Sequence, residues 1–390
     1  MFSSPEEVFE KEKKYMMPVY KRPRIVITEG KGATVSDCFG NEYIDCVGGI
    51  AVNAVGYCHP KVVKAIKEQA EKLMHVSNLY YTEPQVELAE KLSGKCGMDK
   101  VFFCNSGAES VEAALKLASK VTGKHKFIAA EGSFHGRTLG SLSVTFETKF
   151  RSVFEPLLLN GVKFVRYNDA EAIRKAIDGD TAAVILEPIQ GETGVIVPSE
   201  GYLKEVREIC TEKGVLLILD EIQTGFGRTG RWFCKEHEGV EPDIMTVAKA
   251  MGAGFPVGAM LAKEGIEFET SEHGSTFGGN PLACTAALAS MKVIEEERLV
   301  ERSRELGEYL MEKVHEGRID SNPVVKEIRG KGLMIGIELT KRCGEMVDKA
   351  RERRILINCT FDRVIRLVPP LVISKEQIDR VISVLRAIIK

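Results

Sequence analysis

The chain of 390 residues has no excess of charge of either sign: Lys and Arg together number 54 against 56 Asp and Glu, a formal net charge of −2. This removes the electrostatic footprint of a nucleic-acid binder, which must neutralise phosphates with basic residues. The ten cysteines include no C-x-x-C pair and no Cys/His cluster. No disulfide framework or metal site is therefore expected, and a reducing cytoplasm is the natural compartment. No repeat, low-complexity tract or long linker is visible. No unbroken apolar run reaches the roughly 20 residues of a membrane-spanning helix. The nearest, residues 244–262, has Lys249 as its single charge, but GAGFPVG within it would break a helix. The start, MFSSPEEVFEKEKKYMM, mixes both charge signs without an apolar core and does not read as a secretory signal.

What is present is the composition of a globular protein, 44% apolar, at a length that calls for two or more subdomains. After His59-Pro60, the residues Val62, Val63, Ile66, Ala70 and Leu73 recur at helical spacing. A second helix, PQVELAEKLSG, is expected from Pro84 to Gly94. Short apolar runs then alternate with helical segments: VFFC (101–104), FIAA (127–130), AAVILE (182–187), VLLIL (215–219), IMTV and VGAMLA. Strands apolar on both faces, separated by helices, predict an α/β fold with a parallel sheet covered by helices. Beyond about residue 285 the texture changes. Two charged helical patterns, roughly 281–297 and 299–316, precede a hairpin about Gly330 and Gly332, the short strands ILIN and VIRLVP, and a last helix, 375–389. A large domain over 51–285 and a smaller α+β domain over 286–390 are expected. Residues 1–50, whose ITEGKGATVSDCFGNEYID reads as a meander, should pack with the smaller one.

Ligands of open α/β sheets bind at the carboxyl ends of the strands. VFFC is followed by Asn105-Ser106-Gly107-Ala108-Glu109 and a good helix former. Small residues at a helix start leave amides bare for a phosphate, although Ser106 could equally be a plain helix cap. VLLIL is followed by Asp220-Glu221-Ile222-Gln223, where an acid could hold a cationic ligand or cap the next loop. Lys249 stands alone in apolar surroundings. Desolvation lowers the pKa of such an amine and fits it to attack a carbonyl; the other reading is a snorkelling lysine whose head reaches water. GFGRTG (225–230) has the spacing of a dinucleotide fingerprint, but Asp220 to Thr224 separate it from its strand and no helical stripe follows, so a turn-rich loop is the better reading.

A phosphate cradle, a strand-end acid and a strand-end lysine are together the parts that hold pyridoxal phosphate. The sequence resembles the class III pyridoxal-phosphate-dependent aminotransferases. The resemblance rests on NSGAES (105–110), SFHGRTLGSLSVT (133–145), LEPIQGETGV (186–195), LDEIQTGFGRTG (219–230), TVAKAMGAGFPVGAM (246–260), GSTFGGNPLA (274–283) and IRLVPPLVIS (365–374). These segments cover most of the chain beyond about residue 40, with the lysine 29 residues after the aspartate of LDEIQTGFGRTG. The resemblance implies a fold-type I transferase with a mostly parallel large domain, no metal, and a homodimer. Lys249 would bind the cofactor covalently and shuttle the proton, and Asp220 would keep the ring nitrogen protonated. Ser106, Gly107 and Ala108 would cradle the phosphate, Phe134 would stack on the ring, and Gln223 would reach its hydroxyl. Thr276 would complete the phosphate site of the neighbouring subunit. His135 carries no separate signal and reads as a packed loop histidine.

On the substrate side the resemblance implies that Arg137 holds the donor carboxylate and Arg366 the α-carboxylate of glutamate or 2-oxoglutarate, since a guanidinium matches a carboxylate bidentately. Glu192 would be a switch that covers Arg366 while the donor is bound; a plain ion pair is the structural alternative. Ser275 would contact the donor, and Glu187 would anchor its loop. Within the family, GIAVNAVGYCHP, SNLYYTEP and HGSTFGGNP look most like the members that act on N2-acetylornithine, which pass the ω-amino group to 2-oxoglutarate. Tyr57 stands where those members more often have histidine, near the expected cofactor entrance. Ornithine, 4-aminobutyrate, succinyl-diaminopimelate and a carrier-linked lysine precursor are the alternative donors. Outside the family, a nicotinamide oxidoreductase would leave Lys249 and Asp220 without roles, and a non-catalytic binding protein would lack a reactive lysine.

Overall fold

The computed structural model of the chain describes residues 4–390; Met1 to Ser3 of the amino-terminal stretch lie outside them. Strands β1 (Ile27–Lys31), β2 (Thr34–Asp37) and β3 (Glu42–Asp45) form the antiparallel meander that their glycine-punctuated sequence suggests. Strands β4 (Lys100–Cys104), β5 (Lys126–Ala130), β6 (Val162–Val165), β7 (Thr181–Leu186), β8 (Leu216–Asp220), β9 (Ile244–Val247) and β10 (Gly258–Ala262) build a sheet of order β4-β10-β9-β8-β7-β5-β6. Every residue of β7, β9 and β10 is buried, as unbroken apolar runs require of strands covered on both faces. The helix Gly107–Thr122 packs Val111, Ala114, Leu115 and Ala118 on one face, and Tyr202–Lys213 packs Leu203, Val206 and Ile209 on the other.

Two details differ from the sequence reading. VGAMLA belongs to the expected series, but as β10 it runs antiparallel to both β4 and β9. The connection from Val247 to Gly258 holds only a short 3-10 turn, and a parallel return needs a crossover of a dozen or more residues. The helix expected to stop at Gly94 spans Glu83–Cys96. Gly94 stays exposed inside it, and Gly97, with φ of 65°, provides the left-handed cap.

The rest of the chain adds the helices Pro281–Glu296 and Leu299–Glu316, then β11 (Val325–Lys331), β12 (Met334–Leu339), β13 (Ile355–Leu356), β14 (Asn358–Thr360) and β15 (Val364–Leu367). The last sheet runs β11-β12-β15-β14, while β13 leaves it to pair with β3 in parallel. ILIN is thus divided between two sheets. The last helix, Lys375–Ile388, starts in a Ser374/Gln377 capping box. Cys343 and Cys359 form a disulfide, their Cα atoms 5.8 Å apart, which corrects the expectation of none. They flank helix Gly344–Glu352 and strand β13, and this excursion folds back on itself, so the pair meets in space without a signature spacing. The other eight cysteines are free. Among the described residues no helix is long and apolar enough to cross a membrane, and no group of His, Cys, Asp or Glu could hold a metal.

Candidate active site

The carboxyl ends of β4, β8 and β9 converge on a cavity of about 440 Å³ lined by Ser106, Gly107, Ala108, Phe134, Arg137, Asp220, Gln223 and Lys249, within the range of small-ligand sites. Strand pairing sets this convergence. Asp220 ends β8 opposite Thr246 of β9, and Lys249 begins the turn after β9. At the other side Gly258, the first residue of β10, pairs with Cys104, the last of β4. The turn bearing Lys249 and the helix start at Ser106 therefore share one rim of the sheet.

The helix-cap reading of Ser106 is the one the geometry displays. Its hydroxyl accepts from the Glu109 amide at 3.3 Å, so it caps the helix. A first helical turn leaves its amides without intrahelical partners, and with Glu109 served, those of Gly107 and Ala108 are open to the cavity. A side chain at Gly107 would collide with Ile222 at 2.8 Å. The backbone can thus approach a ligand only as glycine.

Asp220 is buried, with Oδ1 accepting from the Ile222 amide at 3.0 Å and Oδ2 lying 2.7 Å from His135 Nδ1. A carboxylate only accepts, so His135 carries its proton on Nδ1 there. Lys249 is half-buried and has a left-handed φ of 46°, which fixes the turn that points it at the cavity. Its ammonium is in no hydrogen bond or ion pair among the described residues. Burial pushes its pKa down, against the opposing pull of Glu192 and Asp220. The lysine side chain therefore lines the cavity instead of snorkelling from the surface, and burial favours its neutral form.

These features fit pyridoxal phosphate. The open amides of Gly107 and Ala108 would hold a phosphate, the amine of Lys249 would take an aldehyde, and the fixed Asp220 carboxylate would face a protonated ring nitrogen. Phe134 lines the same cavity. Two further groups line the cavity. His135 is 2% exposed and hydrogen-bonded to Asp220. Glu187 ties two loops together: its oxygens accept from the amides of Phe134 and Gly191, both at 3.1 Å. Burial drives its carboxyl up to about 7; the charge of Asp220 adds to this and His135 opposes it. Residue type was visible in the sequence, but burial at these positions was not.

Arg366 and Glu192 do not line the cavity; Arg366 is linked to it through Gln223, which does. Arg366 is fully buried on β15, and its Nη1 lies 2.7 Å from Glu192 Oε1, 3.2 Å from the Gly191 carbonyl and 3.4 Å from Gln223 Oε1. Burial works against the ionised form of Glu192, but Arg366 outweighs it and holds the carboxyl below its ordinary value. Arg137 is exposed and stacked, its guanidinium carbon 4.8 Å from the Phe150 ring centre and 5.9 Å from that of Phe134. It has no carboxylate partner among the described residues. Ser275 does not line the cavity but reaches Asn105, which does, at 3.3 Å. Thr276 is exposed and away from the cavity of its own chain. Tyr57 also stays out of it, hydrogen-bonding Asp45 and packing on Gly30.

The family Aminotransferase class-III matches residues 15–389. An acetylornithine aminotransferase of Methanosarcina acetivorans is 63% identical over 380 residues, 97% of this chain and 95% of the relative. That of Methanothermobacter thermautotrophicus is 54% identical, covering 98% of each. Among solved structures, the ornithine aminotransferase of Toxoplasma gondii superposes with a TM-score of 0.96 at 35% identity, covering 100% of this chain and 95% of the other. The acetylornithine aminotransferase of Elizabethkingia anophelis gives 0.90 at 35% identity, covering 100% and 99%. With this match along nearly its whole length, and with a cavity built for pyridoxal phosphate, the chain belongs to the class III aminotransferases.

Proposed function

We propose that this transaminase moves the ω-amino group of N2-acetyl-L-ornithine to 2-oxoglutarate, giving N-acetyl-L-glutamate 5-semialdehyde and L-glutamate, as a cytoplasmic homodimer. The observation that carries the reading is the contrast between its two arginines. Arg366 is shut by Glu192, whereas Arg137 is open. A donor with one carboxylate at its far end and none beside the reacting amine needs that arrangement: Arg137 takes the carboxylate, and Glu192 neutralises a guanidinium that would otherwise face an apolar carbon. Glutamate carries a carboxylate beside its amine and needs Arg366 uncovered. One pocket thus serves two charge patterns by exposing one site or the other. The names of the most similar curated relatives support the same donor.

The bound cofactor supplies an aldehyde that takes up the amine and a ring that withdraws electrons from the carbon bearing it. The chain's own residues do the rest. Gly107 and Ala108 donate their amides to the phosphate, with Ser106 beside them, and Phe134 stacks on the ring. Asp220, held by His135 and the Ile222 amide, keeps the ring nitrogen protonated, and Gln223 serves the ring hydroxyl. Lys249 holds the cofactor at rest, and its Nζ then carries the proton from the donor carbon. The large cofactor-binding domain is proposed over 51–285 and the smaller over 286–390, with 1–50 packed on it.

An exposed apolar surface supports the dimer. Leu79 is 85% exposed and Tyr81 98%. Their segment packs beside the exposed Phe277 through His75, the ring centres 5.0 Å apart, and Asn78 donates to the Ser275 and Gly278 carbonyls. Such a patch is suited to a protein interface, and in a dimer the exposed Thr276, next to Phe277, would serve the partner's phosphate site. Comparing kcat/KM for acetylornithine, ornithine and 4-aminobutyrate tests the donor. Acetylornithine should lead, and the reading fails if either of the others does.

A further inference from the structure

Arg228 is the centre of the loop that follows Asp220 and Gln223, and it is 1% exposed with no carboxylate beside it. An unpaired buried cation is strongly unfavourable, and loops can satisfy one with far less by leaving it at the surface. Here Nη1 donates to two carbonyls, Leu333 at 2.9 Å and Pro369 at 2.6 Å. Its own carbonyl accepts from the Leu333 amide and from the Ser303 hydroxyl, both at 3.0 Å. The contact is close on all sides: a side chain at Gly332 would strike the Arg228 carbonyl at 2.7 Å.

The two carbonyls lie on segments remote from Arg228 in sequence. Leu333 begins the return of the β11–β12 hairpin, and Pro369 stands three residues after Arg366 on the exit from β15. The loop that holds Arg228 is itself stiff. The Glu221 carboxylate accepts from the amides of Cys234 and Lys235, at 3.0 and 2.7 Å, and from the Thr224 hydroxyl. Arg228 is thus tied to Pro369, three residues beyond Arg366 on the chain that leaves β15.

We propose that Arg228 is a positioning residue that sets the height of Arg366 over the cofactor site, and so the affinity for the substrate bearing a carboxylate beside its reacting carbon. The inference rests on the reading of Arg366 as that carboxylate's site. Arg137 lies on another segment, with no contact to Arg228, so the donor side is spared. A purely structural anchor would weaken the fold without favouring one substrate.

The test uses the holoenzyme of Arg228→Met, with Arg228→Lys as the milder change should the first fail to accumulate folded. Each half-reaction is followed separately by single-turnover absorbance. Binding of glutarate, a dicarboxylate that does not react, is measured by calorimetry. Glutamate, 2-oxoglutarate and glutarate should bind about 10- to 100-fold more weakly, the factor expected from losing hydrogen bonds to a charged group. The dissociation constant of acetylornithine should stay within about twofold. Unchanged dicarboxylate affinity, or equal losses on both sides, would overturn the proposal. Arg366→Lys is the control. If it leaves the glutamate half-reaction intact, the reading of Arg366 fails; if it impairs that half while Arg228→Met does not, only the role of Arg228 falls.

Discussion

Nδ1 of His135 sits 2.7 Å from Oδ2 of Asp220, with both side chains buried and Nε2 of the histidine left without a partner. The ring donates its Nδ1–H to the carboxylate and holds one oxygen while the Ile222 amide holds the other. His135→Ala should therefore loosen Asp220 without removing it. We expect kcat to fall by about 10- to 100-fold, less than the loss of about 100-fold or more in Asp220→Asn, where the proton acceptor itself goes. Steady-state kinetics on both variants check the order, and equal losses would refute the positioning.

Lys249→Ala should abolish turnover while the protein still folds. Replacing a half-buried amine that is in no ion pair among the described residues should leave the Tm of the cofactor-free protein unchanged or higher. Borohydride should bleach the native holoenzyme and add the pyridoxyl mass to the peptide bearing Lys249; a label elsewhere rejects the assignment.

Removing the carboxylate in Glu192→Ala leaves Arg366 uncovered throughout the cycle. The ratio of kcat/KM for glutamate over acetylornithine should rise by about tenfold or more. An unaltered ratio would reduce the pair to a simple interior ion pair.

Glu187 should make the fold sensitive to pH near neutrality. Its folded pKa, about 7, lies above the ordinary 4.5, so between those values the native state binds more protons than the unfolded chain. The stabilisation is complete below about 4.5 and lost as pH rises through 7. The shift corresponds to about 3 kcal/mol. Chemical denaturation of Glu187→Gln across pH 5–8 should show a flatter profile than the parent; identical slopes would place the titration elsewhere.

Reducing the Cys343–Cys359 bond, or Cys343→Ser, should lower stability by about 3 kcal/mol, the entropy of a closed loop of roughly this length. The bond closes the β13–β14 excursion across 16 residues, and none of its residues lines the cavity. Unfolding curves with and without reductant decide it.

Much of this was legible in the sequence because periodicity and strand ends are local signals. Apolar runs marked the strands, and the residues just after them, Ser106, Asp220 and Lys249, marked the cavity. What escaped depends on contacts between distant segments. An apolar run has no direction, so the reversal of β10 could not be read from VGAMLA. The Cys343–Cys359 pair follows from an excursion that closes on itself. His135 and Glu187 have ordinary polar side chains until the fold buries them beside Asp220. Arg228 lay in a motif that looked like a nucleotide fingerprint, and only the tertiary fold brings it to Pro369.

The reversed strand β10 has one more implication. By running downward between β4 and β9, it spaces the amine-bearing turn and the phosphate cradle two strand widths apart, about 10 Å, and its pairing with both neighbours fixes that separation. Inserting or deleting a single residue between Met251 and Val257 would force the strand either to slip, turning its side chains to the opposite faces, or to bulge. The length of that short descent thus acts as a ruler between amine and phosphate cradle.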